Sequence, residues 1–246
     1  MTKLSRSMMI RCLFFAVLLL AGTSRAQTRP PEVDQLAKTY GLDSYGQIEA
    51  VRYTFNLDLP ALKVNLSRSW TWEPKTGQVT YETKDKDGKP VKVTYNRSQL
   101  NSAPANVRDE IEPSFVNDNY WFIFPFHAYW DTSANVTVKD KQKLPIGQGT
   151  AKLVSVKYPM EVGGYTPGDT WDLYVGKDGR IVQFVYHRGG EKKPSNVTTT
   201  WAGYKKGGPL LVATDHRGTA DGKPARIFFS NVSVKLAGSD KWTDAQ

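Results

Sequence analysis

Val51-Arg52-Tyr53-Thr54-Phe55-Asn56-Leu57-Asp58 alternates apolar and polar residues without a break. That is the period of a β-strand with one dry face and one wet face. The same texture continues downstream. Val64, Leu66, Trp70 and Trp72 share one parity with Arg68, and Val79, Tyr81 and Thr83 alternate with Gln78, Thr80 and Glu82. Asp87-Gly88 then turns the chain into Val91, Val93 and Tyr95. Four antiparallel strands in a meander are expected, each with an apolar and a polar side.

Further strand-like segments lie at 152–158, 171–175, 181–186, 197–204, 210–214 and 227–236. Lys177-Asp178-Gly179-Arg180 and Asp221-Gly222-Lys223 read as hairpin turns between pairs of them. Upstream of the first meander, Glu32 to Tyr40 reads as a helix that Gly41 ends. Between the two β regions, Asn106 to Ile111 has helical composition, with Pro113 expected to stop it. Tyr120-Trp121-Phe122-Ile123-Phe124-Pro125-Phe126 has no charged member and must be buried or cover something apolar. Pro125 argues against both a regular helix and a central strand there, so the segment is expected to start helical and leave as an extended lid. The fold class is mainly β with a few helices: a strongly curved antiparallel sheet of about ten strands, an incomplete barrel, with helices packed on its concave face.

Residues 1–26 read as a cleaved signal peptide. Lys3, Arg6 and Arg11 precede a short apolar core from Cys12 to Ala21, and Ser24-Arg25-Ala26 offers the small-x-small pattern of a cleavage site. The core is about half the roughly 20 residues that a membrane span needs. Cleavage would leave residues 27–246 as a single half-barrel domain. The lone cysteine, Cys12, would leave with the signal, so neither disulfide nor thiol chemistry is expected, and the cysteine is misplaced for a lipid anchor. These features point to a bacterial periplasm. Four bases would also depart, so the 33 Lys and Arg fall to 29 against 24 acids, and the formal charge drops from +9 to +5. The remaining bases form no run, which argues against nucleic acid and against a polybasic membrane patch.

The order of helix, four-strand meander, helix with an aromatic-Pro segment and second meander resembles the outer-membrane lipoprotein-sorting (Lol carrier-like) superfamily. Tyr120 to Phe126 is similar to a segment of its uncharacterised secreted branches. So is Tyr165-Thr166-Pro167-Gly168-Asp169-Thr170-Trp171-Asp172-Leu173-Tyr174-Val175, followed by Asp178-Gly179-Arg180-Ile181. The resemblance spans most of residues 32–236. It implies a curved antiparallel half barrel closed by helices, with lipoprotein acyl chains held between sheet and helices and carried across the periplasm. The best-known carriers use an arginine on an early strand in binding and release. Arg68, on the second strand and on the apolar parity, is the residue here that invites comparison.

Chemistry-bearing constellations are sparse. His127, His187 and His216 are far apart in sequence and show no zinc spacing. His127 follows the aromatic run, His187 ends a strand, and Asp215-His216-Arg217-Gly218 reads as a turn. There is no Gly-x-Ser-x-Gly elbow and no paired acidic signature. Gly163-Gly164 and Gly189-Gly190 sit between strands and read as turns, not phosphate loops. No cofactor and no metal are implied. The unusual feature is the aromatic content, 12 % of the chain. Some of these rings form a core, and others could line an apolar cavity.

The leading reading is therefore a periplasmic, non-enzymatic binding protein or carrier. Its partner would be a hydrophobic small molecule, a lipid or a lipoprotein acyl chain, with an envelope protein as a further partner. The candidate ligand-binding residues are Arg68, Trp70, Trp72, Tyr81, Tyr95, Trp121, Phe122, Phe124, Phe126 and Trp171. One alternative is an envelope structural or protein-interaction module whose half barrel is filled by its own side chains. Another is an enzyme using one of the three histidines. An open apolar hollow would favour the carrier and a packed interior the module.

Overall fold

Alternation alone organises most of the chain. In the computed structural model, which describes residues 29–161, 166–190, 193 and 195–246, the strands join one antiparallel sheet that does not close into a barrel. The proposed signal peptide lies outside the described residues. No helix among those residues is long and apolar enough to cross a membrane.

The first meander is β1 (Ile48–Leu59), β2 (Val64–Glu73), β3 (Gln78–Lys84) and β4 (Pro90–Asn96). The second runs through β5 (Asn135–Lys143), β6 (Thr150–Lys157), β7 (Thr170–Val175), β8 (Ile181–Arg188) and β9 (Ser195–Thr200). β10 (Ala202–Gly207), β11 (Leu210–Ala220), β12 (Lys223–Leu236) and β13 (Trp242–Asp244) complete the described strands. The spatial order is β4-β3-β2-β1-β12-β11-β9-β8-β7-β6-β5, with β10 beside β11 and β13 beside β12. The seam between β1 and β12 joins the two meanders, with Phe55 opposite Phe229 and Leu57 opposite Ile227.

Three α-helices among the described residues accompany the sheet: α1 (Pro31–Thr39), the single turn α2 (Leu42–Tyr45) and α3 (Glu112–Trp130). α1 buries Val33, Leu36 and Ala37 and lies against α3. Gly41 follows it with φ +109°, and a Cβ there would strike the carbonyl oxygen of Pro209. Glycine is the residue that tolerates both conditions.

The sheet curves around α3. Phe115 of α3 meets Trp70 and Trp72 of β2 at ring-centroid distances of 5.4 and 5.9 Å. Phe124 stacks on Trp171 of β7 at 4.3 Å. In a flat sheet β2 and β7, six places apart in the strand order, would be separated by about 29 Å. Phe115 and Phe124 are only about 13 Å apart along a helix axis. Contact at both ends requires the sheet to wrap the helix.

Several local expectations need correction. Pro113 begins α3 instead of stopping a helix: a π-helical turn, Val107–Ile111, leads straight into it, and proline fits the first turn because that N–H has no helical partner. The aromatic run does not leave as an extended lid. α3 continues through Pro125 to Trp130 with a break at Ile123 (φ −130°, ψ 35°), where the backbone accommodates the proline two residues on. β5 and β13 were not foreseen, and the expected strand 197–204 divides at Trp201 into β9 and β10. Asp215-His216-Arg217-Gly218 is not a turn but part of β11, with His216 fully buried. Gly218 belongs in that strand because a Cβ would lie 1.9 Å from the Thr198 carbonyl oxygen. Gly189 and Gly190 do lie between β8 and β9, whereas Gly163-Gly164 falls outside the described residues.

Candidate functional site

The inner face of the sheet and the face of α3 opposite it form one continuous aromatic interior. All ten candidate residues named from the sequence contribute to this side. At one end Trp70 packs on Tyr81 at 4.7 Å and on Phe115, with Trp72 beside them. In the middle Phe122 stacks on Tyr53 at 4.2 Å and meets Phe229 at 5.0 Å. At the other end Trp171 gathers Trp121, Phe124, Phe184 and Tyr186. Phe126 lies between Tyr45 and Trp130. Trp70, Trp171, Phe122, Phe124 and Phe126 are fully buried, and Trp72, Tyr95 and Trp121 are nearly so. Tyr81 is only half-buried.

α3 is fastened to the first meander by two buried carboxylates that the sequence reading did not single out. Asp118, with no exposed side-chain surface, accepts from Arg68 Nε at 2.8 Å and from Arg68 Nη2 at 2.5 Å. It also accepts from Trp70 Nε1 at 2.8 Å and from Asn117 Nδ2 at 3.0 Å. Arg68 Nη1 reaches Ser114 Oγ, so the guanidinium spans one turn of α3. Its carbon lies 5.3 Å from the ring centroid of Phe55. Burial pushes the Asp118 carboxyl above the ordinary carboxylate range, while the charge and hydrogen bonds of Arg68 pull against that rise. Six residues earlier Glu112 accepts from the Tyr95 hydroxyl at 2.6 Å and from Arg97 Nε at 2.9 Å. Tyr95, assigned from its parity to a cavity wall, thus anchors the helix through its hydroxyl. Burial, followed by the Glu112 hydrogen bond and charge, raises that hydroxyl well above the usual tyrosine range.

A third polar knot closes the carboxyl end of α3. Asp131 accepts from Tyr120 and Tyr158 hydroxyls, each at 2.7 Å, and faces His127 Nδ1 at 3.7 Å. His127 Nε2 lies 2.8 Å from Asn119 Oδ1, and the imidazole stacks on Tyr120 at 3.8 Å. Burial alone would raise the Asp131 carboxyl, but the nearby His127 imidazole and the hydrogen bonds from Tyr158 and Tyr120 outweigh it and hold the group below its ordinary value. A hollow of about 250 Å³ opens here, lined by Trp72, Arg97, Phe115, Asn119, His127 and Trp130 among others.

The three histidines remain apart. His187 is on the opposite side of the sheet, between Asp172 Oδ2 at 3.0 Å and Asn196 Oδ1 at 2.9 Å, and the hydrogen bond to Asp172 raises its pKa. His216 sits among Phe184, Trp201 and Phe229, where burial lowers its pKa to about 4 and keeps it neutral. Among the described residues no group of three or more His, Cys, Asp or Glu is placed to hold a metal ion.

No protein-family model matches the chain, and no curated protein sequence matches it. Solved structures do. One similar structure is a DUF1329 family protein from Desulfovibrio piger, with a TM-score of 0.43 and 9 % identity, covering 85 % of this chain and 94 % of that one. Another is described as an outer membrane lipoprotein-sorting protein domain from Vibrio parahaemolyticus, with a TM-score of 0.43 and 11 % identity, covering 85 % and 95 %. Both are matched over most of their length.

Proposed function

We propose that the protein is a periplasmic, non-enzymatic carrier of a hydrophobic ligand, a lipid or lipoprotein acyl chain, and that the form described here is self-filled, with α3 occupying the place that the ligand takes. One observation carries this reading: α3 is buried nearly all round, yet it is held to the sheet through Asp118 and Glu112 as well as through rings. A helix meant only to fill a core is held at least as well by apolar side chains. Removing carboxylates from water costs several kcal/mol each before pairing repays it. Polar fastening fixes the register of the helix and gives way when its partners are drawn elsewhere. Displacing α3 would uncover the aromatic face from Trp70 to Trp171, a lining suited to an acyl chain.

A second reading, the envelope interaction module filled by its own side chains, is favoured by the density of that interior. Tyr53, Phe55, Phe115, Phe184 and Trp201 join the buried candidate rings in closing it. The two readings separate by experiment. Native mass spectrometry of the protein from its own periplasm should reveal co-purifying lipid, and a fluorescent acyl probe should bind. The single variant Arg68→Leu, which leaves the buried Asp118 carboxylate without its main partner and so loosens α3, should bind the probe more tightly. Absence of lipid, together with no probe binding by either form, would leave the module as the correct reading.

A further inference from the structure

Two wide hollows open on the other face of the sheet. One, of about 590 Å³, is lined by Arg52, Thr54, Ser69, Thr71, Ser230 and Asn231 among others, and β10 and β13 wall it through Lys205 and Asp244. A second, of about 580 Å³, continues along β2 and β3 past Asn65, Ser67, Thr83 and Lys84. Ser69 and Glu82 line both. Together they make a trough that follows β2 from Asn65 to Thr71, about 20 Å at the rise of a strand.

The trough carries a row of short hydroxyl and amide side chains, with Leu66, Val232 and Ala245 also contributing to its lining. Thr54 Oγ1 and Ser69 Oγ are 2.9 Å apart, Ser67 Oγ donates to Asn56 Oδ1 at 3.0 Å, and Asn56 Nδ2 donates to Ser230 Oγ at 3.1 Å. One stretch of its lining coincides with a β-bulge. The β1–β12 register slips between Arg52 and Thr54, and Asn231 adopts φ +52° in the middle of a long strand. A non-glycine residue in that region is uncommon, and bulges of this kind re-aim side chains beside functional sites. Here the bulge turns the exposed Asn231 amide over the trough, 3.4 Å from Thr54 Oγ1.

We propose that this trough binds an oligosaccharide. Hydroxyl and amide groups both donate and accept, which matches a polyhydroxylated chain. The rim carries both signs, Arg52, Lys84 and Lys205 against Glu82 and Asp244, and so lacks the single-sign field that a nucleic acid requires. β1 and β2 are paired on both sides, so a peptide finds no free strand edge to extend, and the trough has no row of apolar pockets for alternate side chains. At the end of the trough Arg52 is held over the Trp242 ring at 4.4 Å and beside Asp244 at 3.9 Å, which fixes its guanidinium as a donor at the rim.

The test is a titration of the full protein with tetrasaccharides of glucose, mannose, galactose and N-acetylglucosamine, followed by backbone amide resonances. At least one should shift residues of β1, β2 and β12 while leaving α3 unmoved. Asn231→Gly keeps the backbone conformation and removes the amide, and should weaken that binding about fivefold, the worth of one net hydrogen bond. Ser69→Ile should abolish it. If none of the four shifts those residues, or if both variants bind as tightly as the wild type, the proposal is wrong. Retention of an apolar probe by the opposite face should be unchanged throughout.

Discussion

The guanidinium of Arg68 and the carboxylate of Asp118 meet where both are stripped of most water, their side chains 15 % and 0 % exposed. Removing one partner leaves the other charged and unsatisfied. Arg68→Leu should therefore destabilise the fold by about 3–5 kcal/mol, whereas Arg68→Leu/Asp118→Leu should recover most of that loss. Urea unfolding of the two variants checks this, and equal stabilities would show that the pair is not coupled. The parity of Arg68 between Leu66 and Trp70 required a partner or a wet mouth, but the identity of the partner was not legible. Asp118 lies between Asn117 and Asn119, where it reads as polar helix surface, and only the tertiary wrap brings β2 onto it. His216 is a second case. Its folded pKa of about 4 lies below the ordinary 6.5. Between those values the unfolded chain takes up a proton that the folded chain refuses. The contribution is complete above about pH 6.5 and is lost as the pH falls toward 4, on the order of 3 kcal/mol in all. His216→Phe should flatten the fall in stability between pH 6.5 and 4, measured by urea unfolding at several pH values. An unchanged slope would assign the acid sensitivity to other groups.

Among the elements, the strands of the first meander and their hairpin were legible because each has one wet face, and period-two alternation is what such a strand must show. β5 was not, since Lys139-Asp140-Lys141-Gln142-Lys143 on an edge gives alternation little to report. α3 was hardest. A segment buried nearly all round has no polar stripe to reveal its period, and Pro125 argued against a helix that the fold nevertheless keeps by breaking it at Ile123. Packing decides its energetics. Phe124 is fully buried and lies parallel to Trp171, so Phe124→Ala should cost about 3–5 kcal/mol, and Trp121→Ala a similar amount. The sequence had suggested that Phe124 lines a cavity. Retained thermal stability in Phe124→Ala, checked by calorimetry, would restore that earlier assignment and show that α3 is only loosely seated.

At the scale of the whole molecule, the order β4-β3-β2-β1-β12-β11-β9-β8-β7-β6-β5 places the earliest long strand beside the latest one. Ile48 pairs with Leu236, and Phe55 with Phe229. Closing that seam encloses nearly two hundred residues in one loop, as the numbering of its partners shows. Each meander can zip locally, but their union needs two segments far apart in sequence to meet, and such non-local pairing is slow. Until then β1 and β11 each present an unsatisfied backbone edge, a template for other copies. A chain ended at Ala220 should accordingly sediment as aggregate where the full chain stays dispersed, and a monodisperse fragment would show that the halves fold without the seam. The placement of β12 thus ties the two halves to a single pairing event: whatever delays its docking keeps two sheet edges open to other copies at once, so losses on refolding should climb with protein concentration.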